Sequence, residues 1–213
     1  MHEIFTKIKE LSVVPVIKIT DVEKAVPLAE ALAEGGLPCA EVTFRTAQAP
    51  DAIRKITETM GSKMLVGAGT VLTCAQADAA VAAGAQFIVA PGLNPEVVKH
   101  CQKINIPIMP GVFTPSEIEQ ALSLGLSVVK FFPAENAGGL KMVKALAAPY
   151  VDVYFVPTGG VGPDNLASYL EFNKVIACGG SWMVKEDWIS NGDFKKIENV
   201  TREAIAIRDS VRR

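Results

Sequence analysis

Eight short apolar runs punctuate the chain, and amphipathic stretches separate them. The runs are VVPVIKI (13–19), CAEVTF (39–44), MLVGAGT (64–70), QFIVAP (86–91), IPIMPG (106–111), SVVKFF (127–132), VYFVPTGG (153–160) and KVIACGG (174–180). Each is rich in β-prone residues and ends near Gly, Pro or Thr, as a buried strand does. The stretches between them, such as DVEKAVPLAEALAEGG (21–36) and TCAQADAAVAAGA (73–85), predict helices. Asp21, Thr73 and Thr114 stand where an N-cap hydroxyl or carboxylate is wanted, and Gly35, Gly84 and Gly125 where a C-cap is wanted.

Strand–helix alternation predicts an α/β fold with a parallel sheet. Such a sheet can be open and doubly wound or closed. The count of eight favours a (β/α)8 barrel, and the 213 residues match the compact end of that range. No linker, charge block or low-complexity segment interrupts the pattern, so residues 1–213 are expected to form one domain. Residues 1–11 predict an extra helix before the first strand, placed to cover the bottom of the barrel.

Composition narrows the function. The net charge is −2 and 49% of residues are apolar, which argues against a nucleic-acid-binding surface and against disorder. No apolar run approaches the roughly 18 residues of a membrane span, and the N-terminus lacks the apolar block of a signal peptide. The four cysteines, Cys39, Cys74, Cys101 and Cys178, are scattered, as expected of ordinary thiols in a reducing cytoplasm. Only His2 and His100 are present, which argues against a histidine-based metal site and against a Ser-His-Asp triad. The expectation is no metal and no cofactor.

In a (β/α)8 barrel the active site lies at the C-terminal ends of the strands. Those ends carry Lys18, Glu41, Thr43, Arg45, Thr70, Pro91, Pro110, Lys130, Thr158, Gly159, Gly160, Gly179, Gly180 and Ser181. The glycines gather after the seventh and eighth runs, in PTGGVGPDN and CGGSW. One such pair is an ordinary tight turn. Two pairs, in the two loops where barrels commonly bind phosphate, point to a phosphate site. GAGT (67–70) is weaker, since a lone GxG is common. It reads either as a turn or as a loop that aims the Thr70 hydroxyl at substrate.

Lys130 lies inside the apolar run SVVKFF, and lysine is among the residues least often fully buried. At a barrel rim it could snorkel. Buried, its amine is favoured in the neutral form and can attack a carbonyl. The iminium so formed is an electron sink for a carbanion at the neighbouring carbon. Glu41, among small and apolar residues, reads either as the partner of a buried cation or as the proton carrier that the scarcity of histidine requires.

At these same residues the chain resembles a known family. EVTFRT, GAGTVL, APGLN, PGVFTPSE, KFFPAE, PTGGV and GGSW occur in order over essentially its whole length. They are similar to the motifs of the 2-keto-3-deoxy-6-phosphogluconate (KDPG) / 4-hydroxy-2-oxoglutarate (KHG) aldolase family. The resemblance implies a metal-independent class I aldolase acting on a small 2-keto acid, and a homotrimer. It implies Lys130 as the Schiff-base lysine and Glu41 as the acid/base. It also implies Arg45 and Thr70, with Thr43 and Pro91 nearby, on the pyruvyl side of the substrate. Thr158, Gly159, Gly160, Gly179, Gly180 and Ser181 would then lie at the phosphate. Phe44 departs from the leucine usual in the first motif, and Lys18 stands at a variable position with three open roles: phosphate, carboxylate or counter-ion of Glu41. Two other readings compete, a sugar-phosphate isomerase or epimerase and a non-catalytic sugar-phosphate sensor.

Overall fold

The computed structural model describes residues 2–212. Its strands are β1 (Val13–Ile17), β2 (Cys39–Thr43), β3 (Leu65–Gly69), β4 (Phe87–Val89), β5 (Ile108–Met109), β6 (Gly111–Val112), β7 (Val128–Phe131), β8 (Tyr154–Pro157) and β9 (Cys178–Gly180). Every predicted run forms strand. The fifth is split in two at Pro110, whose missing N–H cannot extend a ladder. Its carbonyl still accepts from the Lys130 amide at 2.9 Å.

The helices are α1 (Glu3–Leu11), α2 (Ala25–Glu34), α3 (Ala49–Met60), α4 (Cys74–Ala82), α5 (Pro95–Lys103), α6 (Pro115–Ser123), α7 (Gly139–Ala147), α8 (Pro163–Glu171), α9 (Glu186–Asn191) and α10 (Phe194–Val211). Thr73 and Thr114 cap α4 and α6 through their hydroxyls, the second with a full capping box to Glu117. Asp21 caps a short 3-10 turn at 22–24 instead of the α-helix itself. Gly35 is the C-cap of α2, with φ −70°, and the left-handed conformation falls on the next residue, Gly36, at +88°. Gly35 is needed for another reason, because a Cβ there would lie 2.6 Å from Thr201 Cβ on α10.

All strand pairings are parallel. Six strands form a sheet in the order β5-β4-β3-β2-β1-β9 and three form another in the order β6-β7-β8. The expected single eight-stranded ladder is therefore replaced by two ladders, with isolated bridges at Phe155–Val175 and Thr158–Gly179. Strands as short as β5 and β6, separated by Pro110, cannot sustain one continuous ladder.

The apolar residues separate into two clusters. The larger lies between strands and helices, with Ile17, Leu28, Leu32, Val42, Ile53, Ile56 and Phe155 fully buried. The smaller gathers Phe5 and Ile8 of α1 with Val14, Cys39, Phe87, Val128 and Val156 from the strands. Thus α1 covers the N-terminal end of the strands, as predicted, and α10 packs against both α2 and α8. No helix among the described residues is long and apolar enough to cross a membrane.

Candidate active site

The C-terminal ends of the strands bring Lys130 and Glu41 together. They come from β7 and β2, far apart in sequence, and Lys130 Nζ lies 3.6 Å from Glu41 Oε1. Both residues are buried, at 6% and 3% exposure. A lysine and a carboxylate so enclosed are held there by their partner or by function. Yet the contact is longer than a hydrogen bond, and Glu41 Oε1 has no donor within reach among the described residues.

Neighbouring glycines make the room. Glu41 pairs in register with Gly67, and its carboxylate occupies the space that a Cβ on Gly69 would take. Lys130 pairs with Gly111, whose own Cβ position is filled by the Pro91 carbonyl. Pro91 thus contributes backbone packing at the rim.

Thr43 is buried, and its hydroxyl donates to the Ile17 carbonyl at 2.8 Å while accepting from Arg45 Nε at 3.0 Å. It aims the exposed Arg45 guanidinium. Thr70 is half-buried at the end of β3 with φ +56°, a left-handed conformation rare for a β-branched residue. Strain of this kind concentrates at functional sites.

A cavity of about 150 Å³ opens at the same strand ends. Its walls include Arg45, Phe132, Thr158, Gly159, Gly160, Gly180 and Ser181. Gly159 and Gly160 have φ of +97° and +81°, conformations open to glycine at little cost. The expected phosphate residues other than Gly179 therefore line one cavity, and Arg45 lines it with them. Gly179 is set back, with the Thr158 hydroxyl occupying its Cβ space, and the Trp182 ring fills that of Gly180. These glycines serve packing as well as approach, so bulky substitutions there will disturb more than a ligand.

Neither Lys130 nor Glu41 lines that cavity. Phe132 links the two parts: its ring centroid is 5.3 Å from Lys130 Nζ and its side chain forms part of the cavity wall. Sequence reading passed over Phe132, although strand periodicity puts it on the face of Lys130 two residues earlier. Glu135 is exposed in the turn before α7 and accepts a hydrogen bond from the buried Tyr169 hydroxyl. Lys18 does not balance Glu41; its ammonium is 2.8 Å from Glu186.

Larger hollows, about 270 and 470 Å³, open around α1 at the other end of the strands, but Lys7, Lys9 and Glu10 in their walls are solvent-exposed. Among the described residues no group of three or more His, Cys, Asp or Glu side chains is placed to hold a metal ion.

A parallel α/β fold with a buried lysine–carboxylate pair and a glycine-walled cavity at the strand ends defines an enzyme-like type of site. The comparisons specify the family. The profile described as KDPG and KHG aldolase matches residues 4–200. A 2-dehydro-3-deoxy-phosphogluconate aldolase of Treponema pallidum (strain Nichols) is 51% identical, covering 97% of this chain and 98% of its own. The KHG/KDPG aldolase of Escherichia coli (strain K12) is 45% identical over 91% of this chain and 90% of its own. A crystal structure of the KDPG aldolase of Legionella pneumophila, with pyruvate captured at low pH as a covalent carbinolamine, superposes with a TM-score of 0.92. It is 40% identical over 95% of this chain and 98% of that one. This chain belongs to the KDPG and KHG aldolase family.

Proposed function

We propose that this protein is a class I aldolase that cleaves 2-keto-3-deoxy-6-phosphogluconate to pyruvate and glyceraldehyde 3-phosphate. The observation that carries the reading is the buried Lys130 amine, 3.6 Å from a buried carboxylate whose Oε1 has no hydrogen-bond donor among the described residues. An amine in an apolar strand end is suited to nucleophilic attack.

Lys130 Nζ adds to the C2 carbonyl, and loss of water from the carbinolamine gives an iminium. The C4 hydroxyl gives up its proton as the C3–C4 bond breaks. The bond's electrons pass into the iminium, leaving an enamine and releasing the aldehyde. Protonation at C3 and addition of water then release pyruvate and restore the amine. Glu41 is the proton carrier for these steps, directly or through water.

Arg45, Thr70, Thr43 and Pro91 serve the substrate's ketoacid side, with Arg45 also in reach of its distal end. Thr158, Gly159, Gly160, Gly179, Gly180 and Ser181 hold the phosphate, helped by backbone N–H groups. The shorter 4-hydroxy-2-oxoglutarate, which would give pyruvate and glyoxylate, uses the same pyruvyl half. No cofactor is called for. The two ladders are read as one closed (β/α)8 barrel in a single domain. The continuation of β5 into β6 through Pro110 and the two bridges beside β9 support that reading. The enzyme is proposed to act as a cytoplasmic homotrimer, which sedimentation would test.

Borohydride reduction in the presence of pyruvate tests the chemistry. The expected result is a stable adduct on Lys130 by peptide mapping. An adduct on Lys18, or none, overturns the assignment.

A further inference from the structure

A second cavity, of about 200 Å³, lies against the glycine-walled one and shares Val16, Arg45 and Ser181 with it. Its remaining walls carry Lys18, Lys185 and Glu186. Lys18 follows Val16 by two residues, so strand periodicity sends both to the same side. Ile17 and Ile19, on the other, are fully buried. Lys18 Nζ is paired with Glu186 Oε2 at 2.8 Å, with side chains 32% and 54% exposed. Exposed pairs of this kind contribute little to stability and exchange readily. The ammonium is thus held at the edge of the candidate phosphate cavity by a contact that a dianion next door can displace.

We propose that Lys18 and Glu186 form an exchangeable ion pair that sets how strongly the enzyme prefers a phosphorylated substrate. The proposal rests on the aldolase reading above and deepens it. When a substrate phosphate occupies the glycine cavity, Lys18 leaves Glu186 and adds a positive charge beside Arg45. An unphosphorylated 2-keto acid offers no such charge, and Lys18 stays with Glu186. Glu186 is the built-in competitor, and the two residues therefore act in opposite directions. Lys18 favours the phosphate and Glu186 opposes it, by holding the lysine and by its own negative charge.

The test is steady-state cleavage of phosphorylated and unphosphorylated substrates by Lys18→Met, Lys18→Arg and Glu186→Gln, with inorganic phosphate as competitive inhibitor. For Lys18→Met, KM for the phosphorylated substrate should rise about fivefold more than KM for the unphosphorylated one, the scale of one charge-assisted contact near the surface. Lys18→Arg should keep most of the preference. Glu186→Gln should lower the phosphorylated KM about twofold to threefold. Inhibition by phosphate should weaken in Lys18→Met and strengthen in Glu186→Gln. A merely structural ion pair predicts that both variants shift in the same direction, or equally for both substrates, and either result overturns the proposal. Pyruvate trapping separates this failure from that of the parent reading. A wild-type protein that borohydride leaves unlabelled overturns both, and a labelled wild type whose variants shift alike overturns the ion-pair proposal alone.

Discussion

Two buried carboxylates in this protein are treated in opposite ways. Glu198, on α10, is 5% exposed and saturated with donors. Lys195 Nζ reaches one oxygen at 2.8 Å, and the Arg202 guanidinium reaches the other at 2.8 and 3.2 Å. Glu41, at the strand ends, is equally buried and has a single cation at 3.6 Å with no hydrogen bond to Oε1. A structural carboxylate is normally satisfied, because an unmet buried acceptor costs roughly 1–3 kcal/mol. Glu198 follows that rule, with both donor residues on α10 itself. Glu41 breaks it, where the fold also strains Thr70 and leaves a cavity. The contrast supports the proposal that Glu41 serves the chemistry rather than the fold.

The sharpest way to break this contrast is to remove the cation. Lys130→Met should abolish borohydride trapping with pyruvate and reduce cleavage to background, because it removes the proposed Schiff-base amine. It should also destabilise the fold by about 3–5 kcal/mol, because one partner of a buried pair is left alone. Adding Glu41→Gln to Lys130→Met should recover part of the loss, and urea unfolding of the two single variants and the double variant measures the coupling. A double variant no more stable than Lys130→Met would mean the two side chains do not interact.

Next in size is Glu41→Gln alone. Size and hydrogen-bonding capacity are kept and the proton carrier is lost. A fall in kcat of about 10²–10⁴-fold is expected, the usual worth of general acid–base catalysis. KM should change much less, because the groups at the phosphate and ketoacid ends remain. Exchange of the pyruvate methyl protons, followed by NMR, should slow as well. Near-normal kcat and exchange would make Glu41 a counter-ion of Lys130 and nothing more.

Much of this was legible in the chain. The eight runs are local patterns of apolar residues, and all of them became strands. Lys130 was legible because a charge inside SVVKFF contradicts its surroundings. Three things were not legible. The break of the fifth run depends on a single missing N–H at Pro110, and on how the ladders then close. Arg45 was read towards the pyruvyl side, and its place in the wall of the glycine cavity depends on the Thr43 hydroxyl that accepts from it. Lys18 had three candidate partners, and the one it found, Glu186, lies at the start of α9 and 168 residues away. Such pairings depend on tertiary placement, to which neither periodicity nor propensity is sensitive.

The smallest effect is expected at the other carboxylate, and its smallness is what the comparison needs. Hydrogen bonds from Lys195 and Arg202 hold the Glu198 carboxyl below its ordinary value near 4.5. Its cover is thin, because the two cations that shield it are themselves 77% and 58% exposed. A carboxyl whose folded-state value is depressed binds protons more readily when unfolded. Its contribution to stability is therefore present above the unfolded value and is lost as pH falls through the folded one. Glu198→Gln should lower Tm slightly at pH 7, and the difference from wild type should shrink as pH drops below about 4.5. Cleavage should be unaffected, since α10 contributes no residue to either cavity at the strand ends. Thermal unfolding at pH 7 and at pH 3.5, with kcat measured at pH 7, checks both halves. If Glu198→Gln lowered kcat as Glu41→Gln does, the two carboxylates would differ in position only, and the missing hydrogen bond at Glu41 would carry no functional meaning.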